Sequence, residues 1–364
     1  MSRLPTYRYF SVTNLEEEKK KFLGEDTYCP NFTYAADTLP QRLQTLEEPQ
    51  TASVTTQVYK YGRLLQEQNN PNNLLEFRSH NKRAFGEPRF DFFVAIMQTL
   101  YRKAAEQSES TKKLFTEATA LLSQNYDQIS LDMAEFIPDE QMFHRLQSYF
   151  MTYAPLLFEP NELSLEESLS LALQQTGLHG QGWRVVTIDS SSHAHVNKQE
   201  KTIVVGNMYK IRKNNSVRFI TAHEIYGHAN RQGKFKIKDA EGFAVLLEQL
   251  LASRFKFRRS FRYLAASLGW GLDGSPMDFR QVFEILWRFI AIVGEKEEAI
   301  AKDIAFNECA RVFRGGRPDT PGAVYLKDIA YFQGNLLVWQ AMISRHLEYD
   351  GFVAIIEGRE RLLT

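Results

Sequence analysis

The run HEIYGH at residues 223–228, followed by AEGFAVLLEQLL at 240–251, decides how this sequence is read. It sets two imidazoles and a carboxylate within six residues, then opens an apolar-periodic segment with a second carboxylate. On an α-helix, side chains three or four residues apart share a face. His223 and His228 are five apart, so on an ideal helix of roughly 100° per residue the second lies about 140° around from the first. Two backbone devices restore the register. A π-bulge adds a residue to one turn, or the helix loosens at Gly227, where the missing Cβ admits angles that other residues resist. Ser216 is placed to cap the helix carrying 223–228, and Asp239 to cap the next. In that second helix Phe243, Leu246, Leu247, Leu250 and Leu251 make one apolar stripe.

Working outward, WRVVTI (183–188), His193–Val196 and TIVV (202–205) are short and rich in β-branched residues, which predicts strands. Ser164 and Glu167 form a capping-box pattern for a helix that Gly177 stops. Phe92, Phe93, Ile96 and Leu100 recur at helical spacing, and a further periodic run covers Leu114–Leu122. The charged stretch 15–22 reads as a solvated helix face, and the polar segments 48–57 and 67–73 read as loops. The fold class expected is α+β, mostly helical, with one small sheet just before the helix that carries 223–228.

Bulk properties narrow the function classes. The 364 residues hold 44 basic and 44 acidic side chains, a formal net charge of zero, so nucleic acid and anionic membrane surfaces are not expected partners. Hydrophobic residues at 43% are enough for a sizeable core, yet no apolar run reaches the length of a membrane span. Two cysteines, Cys29 and Cys309, supply neither a disulfide framework nor a metal-ligand spacing. With no signal-peptide pattern at the amino terminus, a cytoplasmic location is expected.

The chemistry therefore rests on histidine and carboxylate. Zinc takes imidazole and carboxylate ligands, and a catalytic site uses three of them and keeps a position open. A glutamate beside the first histidine, here Glu224, is placed to accept a proton from an attacking water. Glu241, thirteen residues after His228, is the candidate third ligand, with Gly242 beside it allowing two backbones to approach. Glu248, two turns on, either orients a histidine or is an ordinary helix-face glutamate. Asp239 is a weaker ligand candidate because capping accounts for it. His193 and His195 alternate on a strand and make a lesser, competing pair. His80, His144, His179 and His346 are isolated and carry no assignment.

HEIYGH with AEGFAVLLEQ resembles the tyrosine/phenylalanine carboxypeptidase domain family, whose bacterial members are labelled by a Gln-Glu-Gly-Leu-Ala motif and which includes the microtubule-associated tyrosine carboxypeptidases. ARVFRGG (310–316) and YLKDIAYFQG (325–334) are similar to the family's later arginine–glycine and Lys-Asp-x-x-Tyr blocks. The resemblance covers roughly residues 85–340. It implies a His-Glu-x-x-x-His zinc motif with the glutamate of the Glu-Gly-Leu-Ala segment as third ligand, which here are His223, Glu224, His228 and Glu241. It also implies a zinc-peptidase-like catalytic domain over 76–364, preceded by an N-terminal helical and loop region over 1–75, and C-terminal tails of peptides or proteins as substrate. Ala240 and Phe243 depart from the motif, and the segment between His228 and Glu241 is short, which bears on substrate preference and leaves the ligands intact.

A carboxypeptidase must also hold a terminal carboxylate, for which the planar fork of arginine is suited. Arg311 and Arg314 are the candidates, Lys327 can assist, and Tyr331 can donate to an oxyanion. The cluster Lys210, Arg212, Lys213 and Arg218 is read as a solvated loop face. Two rival readings stay open: a zinc aminopeptidase or endopeptidase, and a non-catalytic metal-binding scaffold. Oligomeric state is not legible.

Overall fold

The computed structural model describes residues 12–34, 54–126, 136, 138–159, 162–188, 194–206, 214–231, 233, 235–253 and 260–363, without the side chains of 54–56 and 214–215. It is mostly helical with one three-stranded sheet, an α+β fold as the sequence predicts. The chain divides into two compact units, residues 1–135 with 258–333, and 136–257 with 334–364.

In the first unit the helix Phe90–Glu106 buries Phe92, Phe93, Ile96 and Leu100, as their spacing requires. The helix Leu15–Gly24 sets Phe22 against Phe279 and Phe283 at ring-centroid distances of 5.1 and 4.8 Å. Its charged face departs from expectation at Glu18. That carboxylate is buried and accepts from the Tyr28 hydroxyl and the Asn31 backbone N–H, both at 2.6 Å. The segments read as loops also shrink. One helix already runs Val54–Glu67 and the next begins at Pro71. Asn70 caps that second helix through Asn73 N–H at 2.9 Å, and proline suits its first position, having no N–H to leave unpaired.

The second unit carries the sheet. Strands β1 (Arg184–Ile188), β2 (Ala194–Asn197) and β3 (Thr202–Gly206) lie in the order β1-β3-β2, with β1 parallel and β2 antiparallel to β3. β3, at the centre, is buried along its length. The helix Leu165–Gln175 begins at the expected capping box, and Gly177 beyond it has φ +71°. A helix is already under way at Asn214, so Ser216 lies inside its first turn and is not its cap.

The long helix of this unit, Ile237–Leu251, buries its whole predicted stripe. Its N-cap is Lys236, not Asp239, and no side chain caps it. Gly242 on this helix faces the part of Lys327–Arg345 that begins at Gly334: a Cβ built on Gly242 would lie 2.2 Å from the Gly334 carbonyl carbon. Asn335 Nδ2 donates to the Gly242 carbonyl at 3.2 Å, and Trp339 Nε1 to Gln249 Oε1 at 2.8 Å. The expected close approach at Gly242 is therefore real, but its partner is this later helix.

Because that Cβ meets backbone, which cannot swing aside, Gly242→Ala should cost about 1–3 kcal/mol in denaturant unfolding. Gly180→Ala, with nothing within 4 Å of its Cβ, should change little. Equal midpoints for the two variants would refute this packing.

Candidate metal centre

The helix Asn214–Thr221 passes without interruption into a π-helical segment, Ala222–Ala229. Its wider turn is visible in the bond from Asn230 N–H to the Ile225 carbonyl, 2.7 Å across five residues. Of the two devices that could align residues five apart, the chain uses the π-turn. Gly227 serves it by space and not by an unusual backbone angle: a Cβ there would come within 2.6 Å of Ala244 Cβ on Ile237–Leu251. Tyr226, buried on the far side, packs edge-on against Phe150 and Tyr153 at 5.8 and 6.0 Å. Asn230 closes the segment by donating to the Tyr153 hydroxyl at 2.8 Å.

With the register restored, His223 Nε2 and His228 Nε2 stand 3.1 Å apart, and Glu241 Oε2 lies 3.3 Å from the first and 3.5 Å from the second. Ligands about 2.0–2.1 Å from one ion at tetrahedral angles would be about 3.3–3.4 Å apart, so three sides of this size suit a single small cation. Glu241 Oε2 is buried, and no well-formed hydrogen bond reaches it. Glu248 Oε1 meets His223 Nδ1 at 2.7 Å, which holds the ring with Nε2 toward the triangle. Among the described residues, His223, His228 and Glu241 are the group able to hold a metal ion. Asp239 is not part of it, and points instead to Arg231 at 3.0 Å.

Charge within the triangle is unevenly held. Burial disfavours protonation of His223, but contacts with Glu241 and Glu248, aided by the charge of Glu224, outweigh it and push the pKa up to about 10. His228 goes the other way: burial lowers it, Glu241 opposes, and the charges of His223 and Lys198 add to the lowering. Glu241 is penalised by burial, yet the two imidazoles hold its carboxyl well below the usual range.

Residues 234–351 match the family model for microtubule-associated tyrosine carboxypeptidase. The resemblance read from the motifs is thus borne out over that stretch, which contains Glu241, Glu248, Arg311, Arg314, Lys327 and Tyr331 and begins after HEIYGH. At the level of the family, the match is to a carboxypeptidase. No curated protein matches the chain.

Glu224 lies with the two histidines on Ala222–Ala229, whereas the candidates for substrate contact, Arg311, Arg314, Lys327 and Tyr331, lie in the first unit. Arg311 Nε donates to both oxygens of Asp328, at 3.0 and 3.2 Å, and Arg314 Nη2 to Asp328 Oδ2 at 3.0 Å. Asp328 is fully buried, and Arg262, paired with Glu308, approaches it at 3.9 Å. Tyr331 lies three residues after Asp328, one turn further along the helix Lys327–Arg345. Lys327 is the first residue of the helix Lys327–Arg345. Asp328 stands in the quoted Lys-Asp-x-x-Tyr block without an assigned role, although an acid beside two arginines is the signal that could have marked it. Of the basic loop cluster, Arg218 donates to the Leu157 carbonyl, while Lys210, Arg212 and Lys213 lie outside the described residues, as does His193.

Two outcomes follow for metal binding. Removing the charge that orients His223, as in Glu248→Gln, should weaken zinc binding about 10–100-fold in chelator competition. A metal taking His223 Nε2 must also displace a proton held up to about 10, so affinity should rise with pH across the neutral range. Zinc titrations at pH 7 in buffers of different ionisation enthalpy should show proton release. Binding without release would contradict the charge assignment.

Proposed function

We propose that the chain is a zinc metallocarboxypeptidase that removes a C-terminal residue, tyrosine or phenylalanine, from peptide or protein tails. The observation that carries this reading is the triangle of His223 Nε2, His228 Nε2 and Glu241 Oε2, with sides of 3.1–3.5 Å and Glu248 behind His223. Two imidazoles and one carboxylate are a zinc donor set that keeps a position open. A zinc ion bound there would supply Lewis-acid polarisation of the scissile carbonyl and of the attacking water.

The chain's own residues do the rest. Glu224 follows the first ligand directly, and its carboxylate takes the proton of the attacking water and delivers it to the leaving amine. Arg311 and Arg314 are candidates to receive the terminal carboxylate. Asp328 holds both guanidinium groups in fixed orientation, and Arg262, Arg311 and Arg314 together outnumber the Asp328 and Glu308 carboxylates, which leaves net positive charge for an anion. Lys327 adds a further cation, and the Tyr331 phenol, on the same helix as Asp328, is the candidate oxyanion donor. No described helix is long and apolar enough to cross a membrane, and both cysteines are free, which fits a cytoplasmic setting.

The test uses paired peptides ending in Tyr or Phe, one with a free carboxylate and one amidated. The zinc-loaded wild-type chain should release the last residue from the free form alone. Glu224→Gln should keep its zinc and lose about 10²–10⁴-fold in rate. Comparable cleavage of both forms would sink the carboxypeptidase reading in favour of an aminopeptidase or endopeptidase. An unimpaired Glu224→Gln chain would remove Glu224 from its role.

A further inference from the structure

His228 stands near the end of one ligand-bearing segment and Glu241 belongs to the next, and a buried cation, Arg231, sits where the chain turns between them. Arg231 is 1% exposed. Its guanidinium carbon stands 3.9 Å from the ring centre of Phe235 and 4.5 Å from that of Phe243. Nη2 donates to Asp239 Oδ1 at 3.0 Å and Nη1 to the Asp239 carbonyl oxygen at 3.4 Å. Asp239 is buried as well. Among the described residues the Arg231 Nε–H finds no acceptor, so the guanidinium is held by the carboxylate and carbonyl of Asp239 and by two ring faces. From the end of β2, Lys198 Nζ donates to the Arg231 carbonyl at 2.8 Å.

A buried ion pair is a poor device for stability, because desolvating both charges offsets most of their attraction, and apolar side chains of like volume often serve as well. What it does supply is direction. Asp239 and Glu241 are two residues apart, about 200° around their helix, so they face nearly opposite ways. Holding Asp239 against Arg231 sets the rotation of Ile237–Leu251 about its axis and turns Glu241 toward the imidazoles. Arg231 lies three residues past His228, so the same side chain also sets how far the second ligand helix stands from the first.

We propose that the Arg231–Asp239 pair, clamped between Phe235 and Phe243, is a positioning device for the metal triad that fixes where Glu241 Oε2 stands relative to the two histidines. This rests on the reading of His223, His228 and Glu241 as metal ligands. Neither member of the pair belongs to the triad itself.

The experiment compares the full-length wild type with Arg231→Met/Asp239→Leu, Arg231→Met and Arg231→Lys. It follows thermal unfolding, cobalt(II) affinity and the cobalt d–d absorption spectrum. Removing both charges together should leave a cooperatively folded chain whose cobalt affinity falls about tenfold or more and whose d–d bands shift. Arg231→Met alone strands Asp239 without its partner and should lose more of both affinity and stability. Arg231→Lys keeps the charge but not the flat plane between the rings, and should recover part of the affinity. A folded double variant with wild-type cobalt affinity and spectrum would overturn the proposal while leaving the metal centre standing. Should the double variant not fold, Arg231→Lys decides alone: a shifted spectrum supports the clamp, and a wild-type spectrum and affinity overturn it. A wild-type chain that takes up no cobalt overturns the metal reading itself, and the clamp with it.

Discussion

Two imidazoles five residues apart have to meet at one point, and the second unit is built around that requirement. An ordinary helix would send His228 away from His223, so the chain widens a turn over Ala222–Ala229. A π-turn is less favourable than the α-helix it replaces and persists only where its surroundings hold it. Three contacts do so. Gly227 lets Ala244 come within a distance no Cβ would allow, Tyr226 is fixed against Phe150 and Tyr153, and Asn230 bonds the Tyr153 hydroxyl. The first belongs to Ile237–Leu251 and the other two to the helix Glu140–Tyr153, so two neighbours hold the turn between them.

The ligand helix Ile237–Leu251 is constrained as fully. Its apolar stripe enters a core shared with Trp339, Phe352 and Ile355, and Gly242 seats it against Gly334 and Asn335. On its other side Glu241 and Glu248, two turns apart, address the same histidine through different ring nitrogens. One carboxylate faces the triangle and the other anchors the ring from behind. This arrangement concentrates negative charge on His223 while leaving His228 under the influence of burial, which is why their protonation is pushed in opposite directions.

Much of this was legible in the sequence because it depends on periodicity. The strands at 184–188 and 202–206, the capping box at Ser164 and the stripe from Phe243 to Leu251 follow from local pattern alone. For Glu248 the pattern left two readings, orienting a histidine or lying on an ordinary helix face, and its contact with His223 Nδ1 favours the first. What escaped depends on contacts between segments. Asp239 has the composition of a helix cap, and nothing local reveals that Arg231 claims it. Glu18 sits in a run that looks wholly solvated, yet Tyr28 and Asn31 bury it. The service rendered by Gly227 and Gly242 is space for Ala244 and Gly334, which no reading of a single helix contains. The arginines of ARVFRGG were recognisable as cations, but their buried partner Asp328 was not.

The function of the second unit turns on whether the triangle of His223, His228 and Glu241 holds an ion. The most direct measurement is anomalous diffraction at the zinc edge from crystals of the zinc-loaded chain. One full-occupancy peak is expected about 2.0–2.2 Å from His223 Nε2, His228 Nε2 and Glu241 Oε2. A chain without a peak there, its triangle closed by protons alone, would contradict the reading of these residues as metal ligands.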